Sequence, residues 1–265
     1  MEELGTLATK TVPSARIVSR QLLRNILQAH LGYPGLAWNL PHSEIYLIPY
    51  ASLSNMGVFA PEELPSLGGP DQTVLLIAQP AVAQTRSWDR NQALTWLWRN
   101  LFHGRIHAAV HRAKIAGVWD DARAGDWVDR LGWMEYREIR TVLLEENLIA
   151  PDAETGQVLE EFLSVVLELL VFETDRVGDW FPLLEPGRIQ DLLALVGSPR
   201  DHLAASRPEG AIHPATLRAL VPEKTFVPAD REFDGREYDL CIRTAKRHEA
   251  EGRNFEAALT YLDAA

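Results

Sequence analysis

Residues 89–116 read DRNQALTWLWRNLFHGRIHAAVHRAKIA, and this stretch decides the fold. Its apolar residues recur at helical spacing, proline is absent, and Gly117 follows, so it predicts one long helix. Leu94, Leu97, Trp98, Leu101, Phe102 and Ala109 define an apolar face. Trp96, Asn100, His103, His107, His111 and Lys114 fall on roughly the opposite one. Each step of four residues turns by only about 40°, so the three histidines form one stripe.

Outward from this helix, the pattern predicts further helices at 121–131, 134–147 and 157–173, with shorter ones at 187–196 and 199–206. Toward the N-terminus, residues 14–31 carry helical spacing with Ser14 as the expected cap. Residues 44–50 (EIYLIPY) and 73–79 (TVLLIAQ) read as two strands or extended segments. The fold expected is mainly α, with a small α+β or irregular N-terminal portion at 1–86 and a helical core at 87–206. A Pro-rich linker at 207–230 and a helical hairpin at 231–265 complete it. Six of the eight tryptophans lie between Trp88 and Trp133, as expected of a packed aromatic core.

Composition narrows the function classes. The chain has 265 residues, 46% hydrophobic and 24% charged, within the globular range. Its net charge of -11 repels phosphate backbones and disfavours nucleic acid as a partner. Cys241 is the single cysteine, so neither an intrachain disulfide nor a cysteine-based zinc site can form. The segment MEELGTLATK has no apolar core of a secretory signal, and no apolar run reaches about 18 residues. A cytoplasmic location and no membrane partner are the expectations. No phosphate-binding glycine loop and no G-x-S-x-G occur.

The histidines carry the clearest chemistry. His103 and His107, with His111 one turn further, have a spacing that can hand two imidazole nitrogens to one divalent metal such as zinc. A zinc-protease motif needs Glu after the first histidine, or Glu before the second in the inverted form; positions 104 and 106 are Gly and Ile. A third ligand must come from elsewhere. Glu168 is the first choice, because it interrupts the apolar run SVVLELLVF, where a carboxylate needs a partner, a proton or a cation. Glu161 lies seven residues earlier on the same face, and Glu138 is another option. Helix pairs presenting His and Glu inward resemble carboxylate-bridged di-metal bundles, but their Glu-x-x-His is absent. A histidine row without a ligand, and a Glu168 ion pair with Arg105, Arg112 or Arg140, account for the same residues.

The C-terminal EAEGRNFEAALTYLDAA, with Gly252, Phe255, Ala258, Leu262 and Ala265, resembles half of a tetratricopeptide (TPR) repeat over about residues 238–265. That resemblance implies a helical hairpin that docks a protein partner. Two functions follow: an interaction or scaffold protein using this hairpin, or a metal-dependent hydrolase or metal-binding protein using His103, His107 and an acidic third ligand.

Overall fold

The computed structural model describes residues 2–31, 44–59, 72–185, 189, 192–193 and 195–213. The hairpin at 231–265 lies outside them, as does most of the expected linker. The described chain is mainly helical with one small sheet. No described helix is long and apolar enough to cross a membrane.

Three strands form the sheet: β1 (Ala15–Val18), β2 (Ile45–Pro49) and β3 (Thr73–Ala78). β3 is central, parallel to β1 and antiparallel to β2. It is buried on both faces, which is why TVLLIA is apolar without alternation. Val74, Leu76 and Ala78 pack with Leu23, Ile26 and Leu27 of α2 (Arg20–Leu31) and Leu53 of α3 (Tyr50–Met56). Leu75 and Ile77 face the other way, onto Ala8 of α1 (Glu2–Thr11) and Leu97 and Leu101 of the long helix.

Two N-terminal findings differ from the sequence reading. The sequence reading assigned no element to residues 2–11, yet α1 forms there and Ala8 is fully buried. The helix expected over 14–31 begins only at Arg20. The first part of that segment is β1, paired with residues 75–78. Ser19, not Ser14, accepts from the helix start, with Leu22 N donating to Ser19 Oγ at 3.1 Å. Ile17 and Val18 are β-branched and fit a pleated surface, so tertiary pairing overrides helical spacing here.

After the short α4 (Val82–Thr85), the long helix α5 spans Arg90–Ile115. Asp89 and Gln92 form a reciprocal capping box that fixes its start, and Gly117 follows with φ 67°. Then come α6 (Asp121–Leu131), α7 (Trp133–Glu145), α8 (Thr155–Phe172), a 3-10 turn, α9 (Val177–Trp180) and α10 (Pro199–Ala205). α6, α7 and α8 bury one continuous apolar core with α5. Trp98, Trp119 and Trp127 sit in that core, whereas Trp133 is exposed.

α5 has two buried sides rather than one. Leu97 and Leu101 meet the sheet, while Trp98, Phe102, Ile106 and Val110 meet the helical core. Trp98 also donates from Nε1 to the Leu203 carbonyl of α10, and Arg207 stacks over its ring at 5.4 Å. The histidine side therefore is not a solvent face: His103 is 2% exposed. Gly104 permits this depth, because a Cβ there would lie 2.3 Å from a Leu75 methyl.

Candidate metal centre

α8 is apolar around most of its circumference and carries one polar stripe. Glu161, Ser164 and Glu168 recur at i, i+3 and i+7, with Glu160 beside them. α5 offers a complementary stripe of Arg99, His103, His107 and Lys114. The two stripes meet with residue numbers running in opposite senses, so the helices are antiparallel. Arg99 bonds Glu168 through Nη2 at 2.6 Å and also pairs with Glu173. At the other end Lys114 pairs with Glu160.

Between these ion pairs stand the two imidazoles. His103 Nδ1 is 3.0 Å from Glu168 Oε2, and His107 Nδ1 is 3.2 Å from Glu160 Oε1. Their Nε2 atoms face each other at 3.0 Å. Glu161 closes the triangle, 3.6 Å from His103 Nε2 and 3.3 Å from His107 Nε2. Ligand atoms of His103, His107 and Glu161 all lie within 4.8 Å of one another, the arrangement of a group able to hold a metal ion.

Proton positions follow from these contacts. Glu168 and Glu160 are held below the carboxylate range, so each accepts a hydrogen bond and each Nδ1 donates. For Glu168, burial alone would raise the value. The His103 hydrogen bond and the Arg99 charge outweigh it and hold the carboxyl at about 2. With both Nδ1 atoms donating, the Nε2 pair can approach only if one of them carries a proton. Burial, partly offset by Glu168 and Glu161, pushes His103 below its ordinary value. Burial also opposes charge on His107, but the hydrogen bonds it donates to Glu160 and Glu161 overcome it and raise the group to about 10. The shared proton therefore belongs to His107.

The sequence-derived residues divide plainly. His103 and His107 are brought together as expected. Glu168 contacts His103, but on the Nδ1 side, while Glu161 reaches the Nε2 atoms. The cation beside Glu168 is Arg99, not Arg105, Arg112 or Arg140. Glu138, on α7, accepts from the Leu183 backbone N–H at 3.0 Å and is outside the cluster. His111 lines a cleft beside the sheet with Gly104 and Leu75. The reason is the drift of about 40° per four residues, which over two steps carries the third histidine around the helix. Sequence reasoning missed Glu160, Arg99 and Lys114. The available signal was matched spacing, basic residues at 99, 103, 107 and 114 against acidic ones at 160, 161, 168 and 173.

Tyr46 on β2 adds a neutral donor. Its hydroxyl is buried and has no hydrogen-bond partner among the described residues. Burial first, and then the nearby charge of Glu161, push its ionisation up, so it keeps its proton. Comparison of the chain with protein-family models, with curated proteins and with solved structures finds no match.

Proposed function

We propose that the protein binds a divalent metal ion through His103 Nε2, His107 Nε2 and the Glu161 carboxylate. The observation that carries this reading is the convergence of three potential ligand atoms within 4.8 Å of one another while both Nδ1 atoms are held by other carboxylates. Carboxylate–imidazole pairing of that kind fixes the tautomer of metal-ligating histidines and raises their basicity. Two imidazole nitrogens bound tetrahedrally to zinc at about 2.0–2.1 Å stand about 3.3 Å apart, close to the 3.0 Å between these two. A cation can replace the shared proton without disturbing any other hydrogen bond.

Two imidazoles and one carboxylate suit zinc, iron(II) or cobalt(II) better than calcium or magnesium. Three protein ligands leave a fourth position for water, the pattern of catalytic rather than structural zinc. Held by His103, His107 and Glu161, such an ion would supply a water acidified toward neutral pH, so hydrolysis is the chemistry this centre would support. The scaffold reading rests on residues 231–265 alone, and the described residues add nothing to it.

Elemental analysis of purified protein tests the proposal. Chelator-treated protein reconstituted with zinc is expected to retain one ion per chain. His103→Ala, His107→Ala and Glu161→Gln should each lose it. Retention of the ion by all three variants, or no uptake by the wild type, overturns the assignment. Turnover of an activated ester by zinc-loaded protein, absent in His107→Ala, separates a hydrolytic centre from a purely binding one.

A further inference from the structure

On its sheet side, α5 borders a second polar site that the metal centre does not use. A cleft of about 260 Å3 lies between α5 and the sheet, with Leu47 and Leu75 among its apolar lining. Its polar lining is Ser14, Gln72, Thr73, Arg105, His111 and Arg112. No acidic side chain lines it among the described residues, although the chain carries 37 acidic against 26 basic groups.

Elsewhere on α5 the cations are paired: Arg99 and Lys114 each hold a carboxylate. The described ion pairs and hydrogen bonds include none made by the side chains of Arg105 or Arg112. Among the described residues, the buried Arg105 Nε has no acceptor and the buried Gln72 Oε1 has no donor. Arg105 and Arg112 are seven residues apart, so they share one helix face. Two arginines on one cleft with no carboxylate among the described lining leave room for an external anion.

We infer that this cleft binds a small dianionic oxyanion, inorganic phosphate or the phosphate of a small monoester, held by Arg105 and Arg112. Guanidinium groups match phosphate oxygens in a forked geometry, and a dianion compensates both charges. The Ser14 and Thr73 hydroxyls supply neutral donors, and Gln72 Oε1 can accept from a protonated oxygen or a ligand hydroxyl. Ligand pockets usually span about 300–1,000 Å3. The smaller volume here selects a compact ligand whose short apolar body would rest on Leu47 and Leu75. The inference does not depend on the metal.

Titration calorimetry with inorganic phosphate tests it, on full-length protein treated with chelator so that phosphate cannot ligate a metal. Saturable one-to-one binding is expected. Arg105→Gln should weaken it at least tenfold. Arg112→Gln, at an exposed position where folding is not at stake, should weaken it similarly. Arg24→Gln, an equal loss of charge on the exposed face of α2, should leave affinity within twofold. No saturable binding overturns the inference, as does a wild-type affinity in both cleft variants. Tighter binding of succinate than of phosphate also overturns it, by assigning the cleft to carboxylates.

Discussion

His103 and His107 meet Nε2 to Nε2 at 3.0 Å while Glu168 and Glu160 occupy their Nδ1 atoms. One proton is therefore trapped between two imidazoles, and a metal must displace it. Because His107 is raised to about 10, that proton is present near pH 8. Zinc binding to chelator-treated protein is expected to release about one proton per ion. Calorimetry in buffers of different ionisation enthalpy measures the number. A value near zero at that pH would mean that the metal sits elsewhere.

The two kinds of carboxylate should separate on mutation. Glu161→Gln removes a charged ligand and should abolish stoichiometric uptake at micromolar zinc. Glu168→Gln and Glu160→Gln keep an oxygen that can accept from Nδ1 but lose its charge. Each should weaken zinc about 10–100-fold with the stoichiometry unchanged. Competition against a zinc-chelating dye reads both quantities. Equal effects of all three substitutions would contradict the division of roles.

Metal-free stability should depend on pH through the same seam. The folded Glu168 carboxyl sits at about 2 against an ordinary 4.5, so its contribution is full above 4.5 and lost as pH falls toward 2. His103, lowered when folded, adds to the acid loss, because the unfolded chain takes up its proton first. His107 works in the other direction. Raised from 6.5 to about 10, it stabilises fully below 6.5, and that contribution is lost as pH rises through 10. Urea midpoints measured with chelator should fall on both sides of a maximum. Glu168→Gln should flatten the acid side and His107→Ala the alkaline side.

Arg99 tests the seam as structure rather than as site. Breaking a buried ion pair by removing one partner costs about 3–5 kcal/mol. The Arg99 side chain is 32% exposed, so solvent reduces the loss. Arg99→Met is expected to destabilise by about 2 kcal/mol. Arg99 holds Glu168 and Glu173, and Glu173 keeps Arg176 when Arg99 is lost. In Arg99→Met/Glu168→Gln the Glu168 charge that would be orphaned is gone, so the double variant should be more stable than the sum of the two singles predicts. Simple additivity in urea unfolding would show that the two groups are not coupled.

Much of this was legible in residues 89–116, for reasons that particular positions make clear. The capping box of Asp89 and Gln92 and the apolar spacing fix α5 locally, so its length could be read from sequence. The histidine pair followed, because four-residue spacing on a helix fixes a shared face. The acidic residue that faces both Nε2 atoms did not follow so closely. Glu168 and Glu161 lie on the same stripe, and only the register of α8 against α5 decides which carboxylate faces Nε2. β1 was hidden for a similar reason: Ala15–Val18 becomes a strand by pairing with β3, some sixty residues away. The burial of His103 was equally hidden, since one helix wedged between a sheet and a helical core has two apolar faces, and a single-face reading leaves the histidine side open to a cleft, a neighbouring helix or water alike.

Gly104 lies between His103 and Arg105, and its missing side chain sets how closely α5 approaches β3. A Cβ at this position would stand 2.3 and 2.5 Å from the two Leu75 methyls. Leu75 is itself buried in the central strand, and both residues line the cleft into which it could shift. Overpacking of this kind costs about 1–3 kcal/mol. Alanine returns roughly 1 kcal/mol of helix propensity over glycine. Gly104→Ala should therefore be neutral to about 2 kcal/mol destabilising. Leu75→Ala should cost about 2–5 kcal/mol by opening a cavity. In the Leu75→Ala background the clash is absent, and Gly104→Ala should become stabilising by about 1 kcal/mol. That reversal of sign, read from urea unfolding of the four proteins, would establish the close approach. A Gly104→Ala effect of the same sign in both backgrounds would mean that α5 stands further from the sheet than this contact requires.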